Sequence, residues 1–248
     1  MILTDDNFAT IVSAVSYGRT LYDNLVKYLR FQMSTLVAYI AVFIGAGIFG
    51  IADGAPLNPL QILWLNMVVD IPIAIALGFD RPTAGLMSRP PRPVGAPVLS
   101  RVDWVRLCVQ GAVMTIGSLV AYQIGDAEAD AGAEAVVAST MLLTTLSLFH
   151  LAAGLLSRDP HGTIFDRDAI PGRAQLRRYG IALVAIVAVT GLELLNRVVG
   201  TTELSAGLWA TAVAIALSLV VVEELVKLVL RSRGRRTAAP ADLVPATA

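Results

Sequence analysis

The chain has 248 residues, 56% hydrophobic and only 15% charged, with no net charge. Its mean hydropathy is +0.69. This profile excludes a soluble globular domain, gives no electrostatic footprint for nucleic-acid binding, and implies a polytopic membrane protein. The one cysteine, Cys108, rules out an intrachain disulfide and is expected to pack as a small hydrophobe in its helix.

Taken in order, residues 1–30 are polar and read as a cytosolic segment. Asp5, Asp6 or Asn7 can cap a helix, and Ile11, Val12, Val15, Leu21, Leu25 and Val26 then recur at helical spacing. A stalk helix leading into the membrane is expected. There is no basic n-region with a short apolar core, so the spans themselves are expected to direct insertion. Six spans follow at about 31–51, 59–79, 104–124, 135–156, 179–199 and 206–230. Gly45, Gly47 and Gly50 near the end of the first would let another helix approach closely. The tail, 231–248, is basic and then Ala/Pro-rich, the composition of a disordered segment. The expected fold is an all-α membrane protein: a six-helix transmembrane bundle with a short N-terminal cytosolic stalk helix.

The second span carries the chemistry. It is almost wholly apolar, yet it holds Asn66 and Asp70 near its middle, followed by Pro72. An aspartate at mid-membrane depth costs ~2.5–3.5 kcal/mol on insertion scales. Asn66 and Asp70 are four apart and share a helix face. Pro72 has no N–H, so the Val68 carbonyl loses its helical partner. Two oxygen-bearing side chains and a freed carbonyl suit a hard cation, and broken helices near the midplane supply such sites in transporters. In the alternative reading Asp70 is protonated, or paired with another span, and only holds the bundle together. His150 in the fourth span, among Thr144, Thr145 and Ser147, is either an ion ligand or proton carrier, or a helix-to-helix hydrogen bond. Ser34, Thr35, Gln32 and Gln61 read as packing or backbone-bonding residues. Glu193 with Arg197, and Glu223 with Lys227, have the spacing of structural ion pairs.

All but one of the 19 lysines and arginines fall on one side of this layout, the exception being Arg197. The positive-inside rule then makes both termini cytoplasmic, in what is expected to be the cell membrane. No convincing internal repeat is present, which weakens an inverted-repeat transporter, and no ring of charges suggests a channel.

Four stretches resemble one family. They are D-D-N-F-A-T-I-V at 5–12 with Gly18 and Arg19, K-Y-L-R-F-Q at 27–32, L-W-L-N-M-V-V-D with A-L-G-F within 63–79, and M-S-R-P-P-R at 87–92. In order and spacing they resemble the C-terminal part of P-type cation-transporting ATPases of the calcium-pump branch. The resemblance implies a membrane domain that supplies half of an ion path. It places the family's sixth-span ligands on Asn66 and Asp70, with the Val68 carbonyl freed beside them. It puts the intervening threonine on Val69, the fifth-span asparagine on Leu36, the glutamate one turn later on Tyr39, and the eighth-span position near His150. The departures argue against a two-calcium site.

The family's D-K-T-G-T, T-G-E and G-D-G-x-N-D motifs and its first four spans do not occur in this sequence. The chain as given is therefore expected to bind no cofactor and to form no phosphoenzyme. ATP and Mg2+ are implied only for an intact pump, and the transported cation is unspecified. Met1 falls where relatives run on from a phosphorylation domain, so an internal methionine is expected there. Expected partners are the lipid bilayer and the headpiece with its first four spans, or a full-length pump. The alternative is a stand-alone truncated paralogue that serves a pump as a non-enzymatic partner or regulator, or an inert remnant.

Overall fold

A computed structural model describes residues 8–83, 85–93, 95–159 and 172–237, with side chains described as far as residue 230. The start of the first motif, much of the 157–178 loop and the end of the tail lie outside the described residues. All regular structure among the described residues is helical. Helix α1 (Phe8–Phe49) is unbroken over 42 residues. At 1.5 Å per residue it is about 63 Å long, roughly twice the hydrocarbon thickness of a bilayer. The expected stalk and first span are thus one rod.

After a turn at Ile51–Gly54, the second expected span is built in three pieces: α2 (Pro59–Trp64), a π-helical turn (Leu65–Val69) and α3 (Asp70–Gly78). Asn58 begins it as a capping box, its side chain accepting from the Gln61 N–H while Gln61 reaches back to the Asn58 N–H. The remaining helices are α4 (Arg101–Ala127), α5 (Glu134–Leu156), α6 (Arg173–Gly191), α7 (Glu193–Val199) and α8 (Ala206–Thr237). A second capping box, Ser100 with Asp103, starts α4 three residues before the expected boundary.

The fifth expected span is not one straight helix. It breaks at Leu192, whose backbone is extended, and α7 leaves α6 at 85°. Gly191 weakens the helix at that point, and Glu193 begins the next one, where an acidic side chain suits the positive dipole end. Gly200, at φ 73°, closes α7 in the left-handed conformation that glycine adopts without strain.

Among the described residues, four helices, counting α2 to α3 as one, are long and apolar enough to cross a membrane, and α6 with α7 makes a fifth if the bent pair is one span. The sixth expected span lies inside α8. Helix α5 is central, packing on α4, α8, α6 and α1 and burying Leu142, Leu143, Leu146 and Phe149 completely. The outer faces are apolar instead: Leu36, Ile40, Ile44 and Ile48 form an exposed stripe along α1, and Leu217, Val221, Leu225 and Leu228 one along α8. Exposed apolar stripes of this kind are at home in lipid rather than water. Cys108 lies on the exposed side of α4.

Charged and polar groups gather near the helix ends. Where α3 ends, Asp80 is 7% exposed and accepts from Lys27 Nζ (2.8 Å), Arg158 Nη2 (3.1 Å) and the Gln175 side chain. Asn24 of α1 donates to the Gly78 and Asp80 carbonyls at 3.2 and 2.9 Å. Burial alone would raise the Asp80 pKa. The Arg158 and Lys27 hydrogen bonds and charges outweigh it and hold the carboxyl below its ordinary value. Glu223 of α8 receives Arg106 and Gln110 from α4, and Lys227 donates to Glu224 at 3.2 Å. At the opposite end, Asn58 and Gln61 donate to the Val199 and Gly200 carbonyls at 2.9 and 3.0 Å.

Candidate functional site

The break in the second span has a local cause. Pro72 cannot donate to the Val68 carbonyl, and its ring crowds the turn before it. The chain answers with the π turn at Leu65–Val69, in which the Asp70 N–H bonds to the Leu65 carbonyl, five residues back. Such single-turn π segments widen the helix and re-aim side chains. Here Asp70 is 7% exposed and enters the bundle, whereas Asn66 is exposed. The shared face that a regular helix would give them is thus divided between the bundle interior and its outer surface. Asn66 Nδ2 donates to the Ile62 carbonyl at 3.0 Å.

Inside, the Asp70 Oδ1 lies 2.7 Å from His150 Nδ1. With Asp70 ionised, the Nδ1–H donates to the carboxylate. His150 is fully buried on α5. The Tyr39 ring of α1 meets the imidazole edge-on, 5.7 Å between centroids, and Phe31 does the same at 6.3 Å. The His150 Nε2, Tyr39 hydroxyl, Thr144 Oγ1 and Thr145 Oγ1 are buried without a hydrogen-bond partner among the described residues. A carboxylate, an imidazole and the Tyr39 ring therefore meet where α1, α3 and α5 come together. No third acidic, histidine or cysteine side chain joins Asp70 and His150 among the described residues. Chemically the pair can hold a proton, or give a cation one charged oxygen and one nitrogen.

Of the other residues singled out in the sequence, Ser34 and Thr35 donate to the Phe31 carbonyl at 2.9 and 3.2 Å, and Gln61 serves the capping box. These are backbone-bonding roles. Arg197 Nη2 donates to Glu193 Oε1 at 2.5 Å. Tyr39 was visible only as a departure from a pattern, and its contact with His150 depends on long-range packing. Asp80 gave a faint signal: an acid directly after an apolar run.

A bundle of apolar-faced helices around one buried carboxylate on a proline-broken helix defines a helical membrane domain. Residues 54–229 match the family model described as "Cation transporting ATPase, C-terminus". The chain belongs to this family, as a C-terminal domain of the calcium-pump-like P-type ATPases. It is 32% identical over 236 residues to calcium-transporting ATPase 1 of Yarrowia lipolytica, covering 94% of this chain and 25% of that protein. It is 34% identical over 219 residues to the plasma membrane-type calcium-transporting ATPase 7 of Oryza sativa, covering 87% of this chain and 20% of the relative. With the calcium-transporting ATPase type 2C member 2 of Mus musculus it shares 32% over 228 residues, 92% of this chain and 24% of the relative. The chain thus spans about a fifth to a quarter of the length of these relatives.

Proposed function

We propose that this chain is the six-span C-terminal membrane domain of an ATP-driven cation pump, with both termini cytoplasmic in the cell membrane. The observation that carries the reading is the buried Asp70, set on a helix broken at mid-span and held by His150 at 2.7 Å. A fixed carboxylate deep in a bundle is a costly feature without a positive partner, and it marks an ion path. Asp70 is the charge ligand for the transported cation, with the Val68 carbonyl beside it. Asn66, turned to the opposite face of the helix from Asp70, serves the ion path from the side open to the missing spans. His150 lends a nitrogen, or serves as the partner of Asp70 between ions. The relatives' names make calcium the first cation to test. The remaining ligands, and the ATP and Mg2+ chemistry, belong to the headpiece and the first four spans of the complete pump. Apolar exposure of Leu63, Met67 and Ile71 around Asn66 supports a further helix packing there.

The alternative is a stand-alone chain that serves a pump as a non-enzymatic partner. Leu36 and Val69, which replace oxygen ligands of the calcium-pump pattern, favour it. An antibody to residues 231–248, applied to membranes of the source cell, separates the two. The pump reading expects a band several times heavier than 26.2 kDa. A band at 26.2 kDa, with no headpiece-bearing protein co-isolating, refutes it.

A further inference from the structure

A second polar region lies away from Asp70, at the end of the bundle that holds Asp80. There α1, the loop between α3 and α4, and the end of α5 enclose a cavity of about 440 Å3. Lys27, Arg30, Arg89, Arg92 and Arg158 line it, against only three carboxylates, Asp23, Asp103 and Asp159. Asp103 accepts from Arg30 at 3.0 Å and closes the α4 capping box with Ser100, and Asp23 meets Arg89 at 3.3 Å. Lys27 and Arg158 are drawn to Asp80.

Arg92 differs from the rest. It forms no ion pair with a carboxylate among the described residues. Its Nη2 donates to the carbonyls of Ala96 (2.6 Å) and Pro97, and its guanidinium lies 4.8 Å from the centroid of the Tyr22 ring. A guanidinium has five N–H donors, and these two bonds both leave from one nitrogen. The Tyr22 hydroxyl, on the same cavity wall, is buried and has no hydrogen-bond partner among the described residues. A guanidinium anchored by carbonyls and ring, with donors to spare, therefore shares a cation-rich cavity with an orphan hydroxyl. What both lack is an anionic acceptor.

We propose that this cavity binds a phosphate group. Phosphate oxygens accept forked bonds from arginine and a further bond from a hydroxyl, and arginine suits them better than lysine does. The anchoring of Arg92 lowers the ordering cost of binding. Basic pockets between membrane helices on the cytoplasmic side take anionic lipid head groups, and this end is the basic one. The phosphate belongs either to such a lipid or to a soluble phosphate compound. The inference does not depend on Asp70 carrying an ion.

The purified full chain is examined by native mass spectrometry from detergent with phosphatidylglycerol, phosphatidylcholine or inorganic phosphate added. A lipid ligand predicts retention of phosphatidylglycerol over phosphatidylcholine, falling roughly fivefold or more in Arg92→Gln. A soluble ligand predicts instead that inorganic phosphate is retained with the same dependence on Arg92. Tyr22→Phe, which removes one oxygen, lowers retention in either case. Arg197→Gln, at the far end, leaves it unchanged. Circular dichroism verifies that each variant folds. Retention of neither ligand, or retention indifferent to both Arg92→Gln and Tyr22→Phe, overturns the proposal.

Discussion

Replacing Asp80 by alanine tests the packing account most severely. In the wild type its carboxylate joins α1, the turn after α5, and α6 at the foot of the helix that carries Asp70. Lys27, Asp80 and Arg158 are 6, 7 and 9% exposed, so the cations are only partly solvated, from the cavity they line, once the acid is gone. Removing one partner of a buried pair costs about 3–5 kcal/mol, and here two cations lose the same acid, so a loss of about 4 kcal/mol is expected. Asp80→Asn keeps the shape and one acceptor and should lose roughly 2 kcal/mol, the scale of a hydrogen bond to a charged group. Adding Lys27→Met to Asp80→Ala should recover part of the loss, because one orphan cation disappears with it. The assay is unfolding of the purified chain in mixed micelles by SDS titration, followed by circular dichroism. A loss below about 1 kcal/mol for Asp80→Ala, the value of an exposed ion pair, would refute the reasoning.

The same carboxylate sets an acid limit. Its folded pKa lies below the ordinary 3.8, so its contribution is fully present above the unfolded value and is lost as pH falls through the folded one. Unfolding midpoints should show no loss from this group between pH 7 and 5, and below pH 4 the wild type should lose stability that Asp80→Asn never had. His150→Ala leaves the Asp70 carboxylate buried without its donor and should cost about 2–3 kcal/mol in the same unfolding assay. At Gly117 of α4 a methyl group would lie 2.6 Å from the Phe149 ring and 2.9 Å from Ile215, so Gly117→Ala should cost about 1–3 kcal/mol by overpacking. By contrast, Arg197→Ala should change stability by less than about 0.5 kcal/mol, because that pair is 76 and 81% exposed.

Helix positions were legible because apolar runs and their breaks are local. The Pro72 break is an example: a missing N–H must disturb the turn before it, and the π turn stands there. The direction of the disturbance was not legible. A regular helix would keep Asn66 and Asp70 on one face, whereas the wider turn leaves Asn66 exposed and buries Asp70. The Asp70–His150 contact joins residues 80 apart, and Lys27–Asp80 joins residues 53 apart. Sequence spacing carries no information on such pairs until helix packing is known. Both alternatives raised for Asp70 and His150, pairing across helices and ion ligation, contain the contact. Glu223 shows the same limit, since its i+4 spacing pointed to Lys227 while Arg106 and Gln110 reach it from α4. The bend after Gly191 was foreshadowed by a glycine and a glutamate in an apolar run, signals weaker than the hydropathy around them.

The central claim is that Asp70 binds the transported cation. The direct measurement exchanges this chain for the corresponding quarter of the Yarrowia lipolytica relative and follows calcium-dependent phosphoenzyme formation with and without Asp70→Asn. The account predicts that the chimera is phosphorylated only with calcium and that the variant loses this dependence. Wild-type calcium dependence in the Asp70→Asn chimera would contradict it.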